Sequence, residues 1–227
     1  MPVILTRQGG SGGGGGAPSG PAGGDLSGTY PNPDLGSGVV GSTELANGAV
    51  GRTQLATGIG AFDLLSDTLL VANAASIDIS GISQSYKHLK VEVDMRGTTA
   101  ANTVGCKLTF NADTGANYGT LWTYVKNGAT PIGFSETGAT SIYLADIPAA
   151  SANAAESFAG FFDVTNYTGT TFRKHINGTG ESVAAADRVG AVVMGQWAST
   201  AAITRITITP ASGNLATGSR LTIYGMG

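Results

Sequence analysis

The alternation of apolar and polar positions is the clearest signal in the chain. His88-Leu-Lys-Val-Glu-Val-Asp-Met-Arg96 sends Leu89, Val91, Val93 and Met95 to one face and Lys90, Glu92, Asp94 and Arg96 to the other. A period of two is the repeat of a half-buried β-strand. Val104, Cys106, Leu108 and Phe110 continue in the same style. Similar runs predict strands over residues 67–71, 119–126, 141–145, 158–165, 172–177, 189–197, 203–209 and 220–224. The breaks between them carry turn chemistry, at 111–115, Asn127-Gly128, 166–169, Asn177-Gly178 and 210–214. No long segment has the helical period. The pattern predicts an all-β fold, an antiparallel β-sandwich of the jelly-roll kind over residues 61–227, with a closed barrel as the alternative.

The first 60 residues follow no such pattern. Roughly half of the 36 glycines fall there, with one aromatic residue, Tyr30, and the charges Arg7, Asp25, Asp34, Glu44 and Arg52. So little apolar area cannot offset the entropy of ordering so many glycines, so this stretch builds no core of its own. Residues 1–24 read as a Gly-rich anchor. In residues 25–60, Pro31 and Pro33 hold an extended strip with apolar studs at Leu26, Tyr30 and Leu35. A ten-residue repeat follows, 41–50 and then 51–60, in which Leu45 and Leu55, Ala46 and Ala56, and Gly48 and Gly58 coincide. Each unit reads as one helical turn, capped by Ser42, Thr43 or Thr53 and ended by a glycine. Val40, Leu45, Val50 and Leu55 recur every five positions, which no single helix or strand gathers on one face. With only two units, the neighbours that would cover them are other copies of the chain around an axis.

Composition narrows the function. Charged residues make up 12% and the net charge is −3, so there is no basic footprint for nucleic acid. The single cysteine, Cys106, excludes an internal disulfide framework and is expected to be a buried thiol. No apolar run reaches the ~18 residues of a membrane span, so no membrane insertion is expected. The N-terminal residues carry no stretch apolar enough for a signal peptide, which predicts synthesis in the cytoplasm.

Chemistry is sparse. The two histidines, His88 and His175, sit in predicted strands, and no Gly-x-Ser-x-Gly elbow accompanies them. The carboxylates Asp94, Glu136, Asp146, Glu156, Asp163, Glu181 and Asp187 stand singly, with no pairing for glycosidase chemistry. The glycine run lacks the Lys-Ser/Thr ending of a phosphate cradle. Asn111-Ala-Asp-Thr-Gly115 resembles a calcium loop only faintly and reads as a capped hairpin turn. No catalytic residue, cofactor or metal is expected. The aromatic pool for stacking on a sugar is Tyr118, Trp122, Tyr124, Tyr143, Tyr167 and Trp197. Within it, Trp122 and Tyr124 share a strand face, and Tyr167, beside a turn, is expected to be the most exposed. Those three are the candidate receptor contacts, against a core-packing alternative.

Pro21-Ala-Gly-Gly-Asp-Leu-Ser-Gly-Thr-Tyr-Pro-Asn-Pro33 resembles a segment of tail-fibre and other appendage proteins of tailed bacteriophages. The repeat is similar to the Leu-Ala-x-Gly-Ala-Val units of their trimeric stalks. The resemblance continues through Tyr86-Lys-His-Leu89, Phe110-Asn-Ala-Asp-Thr-Gly-Ala-Asn-Tyr118, Ile147-Pro-Ala-Ala-Ser151, residues 202–214 and Gly218-Ser-Arg-Leu-Thr-Ile-Tyr-Gly225. It implies a virion component, a homotrimer whose stalk contacts are Leu26, Tyr30, Leu35, Val40, Leu45, Val50 and Leu55. Residues 1–60 would dock on other virion proteins of the tail, baseplate or capsid, and the head would meet a host cell-surface glycan. The alternatives are a capsid decoration or head fibre with a purely structural role, and a polysaccharide-degrading tailspike.

Overall fold

The computed structural model describes residues 19–30, 32–41, 45, 62–184 and 187–227. They form only strands, turns and loops, without a helix, and fall into two units, one within Met1–Leu55 and one within Ala56–Gly227.

In the first unit the proline strip is turned back on itself rather than extended throughout. Strand β1 (Gly20–Pro21) pairs with β3 (Thr29–Tyr30), and β2 (Leu26–Ser27) pairs with β4 (Asp34–Leu35). The reversals fall at glycines. Gly24 has φ +69° and Gly28 φ +89°, which a residue with a Cβ adopts only under strain. Backbone bonds Ala22 N–H to Gly28 O at 3.0 Å and Gly36 N–H to Asp25 O at 2.8 Å close the loops. Of the expected stalk contacts, Leu26 and Tyr30 are half-buried, while Leu35, Val40 and Leu45 are 63%, 47% and 44% exposed. Val50, Leu55, the helical-turn reading of the repeat and most of the Gly-rich anchor lie outside the described residues.

The second unit is the β-sandwich that the alternation predicts. Its strands are β5 (Asp63–Leu69), β6 (Ile77–Ser80), β7 (His88–Met95), β8 (Thr103–Phe110), β9 (Tyr118–Lys126), β10 (Ile132–Ala139), β11 (Ile142–Pro148), β12 (Phe158–Val164), β13 (Lys174–Ala184), β14 (Asp187–Trp197), β15 (Arg205–Pro210) and β16 (Arg220–Met226). Every pairing is antiparallel. One sheet has the order β10-β9-β14-β13-β12-β7-β16-β5, the other β11-β8-β15-β6. Setting aside β5, β16 and the hairpin β13–β14 leaves β7-β12-β9-β10 against β6-β15-β8-β11. The chain passes from one sheet to the other repeatedly along its length, which is the interleaving of a jelly roll.

The core lies between the sheets. β7 buries Leu89, Val91, Val93 and Met95, and β8 buries Val104, Cys106, Leu108 and Phe110. Facing them are Ile142, Ile147, Phe162, Ile176, Ile206, Ile208, Leu221 and Ile223. Burial pushes the Cys106 thiol up to about 12, so it stays protonated and inert at neutral pH.

Three local expectations are corrected. Strands β6 and β10 are additional. The proposed turn at Asn177-Gly178 is instead the middle of β13, where Asn177 faces Asp163 and Met194 and Gly178 faces Phe162 and Val193. Gly178 is needed for close approach, since a Cβ there would collide with the Phe161 carbonyl oxygen and lie 2.5 Å from Phe162 Cβ. Tyr167, expected to be exposed, is fully buried. Its hydroxyl donates to the Ser83 carbonyl, its N–H donates to Lys87 O at 3.2 Å, and Ile203 N–H donates to its carbonyl at 2.9 Å. The neighbouring turn is present, with Asn166 at φ +49°, but it aims the ring inward.

Candidate functional site: an aromatic pocket at the open edge of the sandwich

Trp122 and Tyr124 are two residues apart on β9, so they stand on one face of the sheet. The register places Phe134 beside Trp122 and Ile132 beside Tyr124, on the adjoining edge strand β10. On the other side of β9 lie Val193 and Ala191 of β14. This is the inner face of the eight-stranded sheet, but the four-stranded sheet ends at β11 and leaves the β10 end open. The β9–β10 reversal is a tight hairpin turn. Asn127 and Gly128 have φ +51° and +73°, and Ala129 N–H donates to Lys126 O at 2.9 Å.

The rings close in on one another. Trp122 and Tyr124 stack with centroids 4.5 Å apart at 25°. Tyr143 of β11 meets Trp122 edge-on at 5.3 Å and 72°, and Phe134 lies 6.4 Å from Tyr143. Tyr143 is positioned by its own N–H, which donates to Thr120 Oγ1 at 3.0 Å, and by its hydroxyl, which donates to Asp146. Burial, reinforced by the Asp146 carboxylate, holds the Tyr143 phenol far above the ordinary range, so it remains neutral.

Together with Ile132 and Gly133, these rings line a pocket of about 430 Å³. None of its lining residues is charged. Ile132 and Phe134 remain 52% and 45% exposed at the mouth, whereas Trp122 is only 7% exposed. The Trp122 Nε1–H is buried and has no hydrogen-bond partner among the described residues. Such a pocket offers apolar ring faces to a flat, apolar ligand surface, with one polar donor held in reserve.

Of the three sequence-derived receptor candidates, the structure joins Trp122 to Tyr124 and removes Tyr167 to the core. Tyr143 belonged to the aromatic pool, and the fold brings it to the site. Ile132 and Phe134 carried no signal, because β10 is exposed on both faces and has no alternation. Tyr118 and Trp197 are core residues that cap the 111–115 turn: Tyr118 donates to Asp113 O at 3.0 Å and Trp197 Nε1 to Asp113 Oδ2 at 2.7 Å. The same carboxylate accepts from Gly115 N–H at 2.8 Å, as a capped hairpin turn requires. His88 accepts a bond from Asn166 N–H at 3.1 Å, and His175 is exposed on β13. No group of three or more potential metal ligands occurs among the described residues.

No protein-family model, curated protein or solved structure matches the chain.

Proposed function

We propose that the chain is a structural component of a bacteriophage virion. It is a trimeric appendage held by its N-terminal arm, and its β-sandwich head attaches to the host surface. One observation carries this reading. Among its described residues, the N-terminal unit pairs two-residue ladders and leaves Leu35, Val40 and Leu45 exposed. A segment with so little internal burial and so many apolar studs needs partner chains to cover them. The motifs in residues 21–33 and 41–60 support a fibre-like arm. The aromatic pocket supports attachment by the head, because its rings suit the C–H face of a sugar.

Imaging of intact particles tests the placement. Density for the head is expected in multiples of three, joined to the tail, baseplate or capsid through residues 1–60. Particles without such density, or with the chain present as single copies, would reject the proposal.

A further inference from the structure

The outer face of the eight-stranded sheet, opposite the core, carries a groove of about 540 Å³ over β7, β12, β13 and β16. Register dictates its layout. Asp94 faces Arg220 on one side and Ala159 on the other, and Ala159 in turn faces Glu181. The next row runs Thr222, Glu92, Phe161, Thr179. Ala159 is the short member of its row, so a methyl group floors the gap between Asp94 and Glu181. Two inter-strand steps separate the backbones of those carboxylates, ~10 Å, which is room for one sugar ring.

The charges are unequal in their commitments. Arg220 is held by both carboxylate oxygens of Asp67, at 2.7 and 2.5 Å, and Glu181 is held by Arg188 at 2.8 Å. Glu92 and Asp94 are exposed and have no partner among the described residues. Phe161 is 41% exposed, and Lys90 Nζ pins its ring at 3.8 Å from the centroid.

From this arrangement we propose that the groove binds a neutral hexose unit of a glycan. Vicinal hydroxyls donate in pairs to a free carboxylate, and Asp94 and Glu92 supply two such acceptors. Phe161 gives the C–H face of the ring an apolar wall. Thr179 and Tyr224 add hydroxyls around the rim. Lys90 offsets part of the charge of Glu92 and Asp94, and the net negative charge that is left repels uronate or sialate residues, so the groove selects against acidic glycans. The inference does not depend on the virion reading. The aromatic pocket is on the opposite face of the same sheet.

The test is calorimetric titration of the full chain with glucose, galactose and mannose oligomers and with hexuronate oligomers of equal length. At least one neutral series is expected to bind with Kd of about 0.1–5 mM, and hexuronates at least ~10-fold more weakly. Asp94→Asn and Phe161→Ala are each expected to weaken neutral binding by ~5-fold or more, with Arg173→Ala, an exposed position outside both the groove and the aromatic pocket, leaving it within about 2-fold. Asp94→Asn is isosteric and exposed, so its effect stands even if Phe161→Ala impairs folding. Three results would overturn the proposal. One is no heat with any neutral series up to ~10 mM. Another is hexuronate binding as tight as neutral binding. The third is affinity lost with Tyr124→Ala but kept with Asp94→Asn, which moves the sugar to the aromatic pocket and leaves the attachment reading standing.

Discussion

Tyr167 ties three segments of the head together through its ring, its hydroxyl and its backbone: the Ser83 loop, the start of β7 at Lys87 and the approach to β15 at Ile203. Because the hydroxyl is a buried donor, removing it leaves the Ser83 carbonyl without that partner. Tyr167→Phe is expected to lower the unfolding free energy by about 1–2 kcal/mol, measured by urea denaturation. An exposed tyrosine would give a change near zero. Position beside a polar turn suggested exposure. Which way a turn residue's ring points depends on the layer beneath it, and a linear pattern does not contain that layer. Trp122 and Tyr124 were legible as a pair because strand parity alone puts them on one face. Acid stability is also set residue by residue. Hydrogen bonds from Arg220 hold Asp67, and from Arg205 hold Asp78, below the ordinary value of 3.8, and Trp197 does the same for Asp113. A lowered folded-state pKa contributes stability above the unfolded value and loses it as pH falls through the folded one. Stability is therefore expected to be flat from about pH 7 to 5 and to fall below about pH 4, less steeply in Asp78→Asn; a steeper acid limb in that variant would contradict the pairing.

At the scale of elements, β7 and β8 could be read directly because each has one face in the core and one in solvent. β10 could not. It is an edge strand whose sides are both exposed, so its sequence Ile-Gly-Phe-Ser-Glu-Thr-Gly-Ala keeps no alternation, and only the Asn127-Gly128 hairpin and its ladder to β9 make it a strand. β6 was short enough that Ile77 and Ile79 gave too few repeats to stand out. β13 misled in the opposite way, because Asn-Gly is the strongest hairpin dipeptide. In β13 its glycine serves close packing against β12. Gly178→Ala is accordingly expected to cost about 2–3 kcal/mol or to prevent folding, followed by thermal melts in circular dichroism. A turn glycine in a surface loop would tolerate the same change at well under that cost.

At the scale of the whole molecule, the head builds its own core, whereas none of the described residues of the arm is fully buried. The head needs no partner to bury Leu89, Phe110, Ile176 or Ile223. Among the described studs of the arm, Leu35, Val40 and Leu45 are exposed, and the trimer is the proposed answer to that imbalance. Fold class was legible because strand alternation survives in single sequences, whereas the proposed assembly rests on the repeat, the motif resemblance and the exposed studs. Native mass spectrometry of the full chain tests the central claim most directly. The account expects a species at three times the 22.7 kDa of the single chain. A spectrum holding only the 22.7 kDa monomer across micromolar concentrations would contradict it.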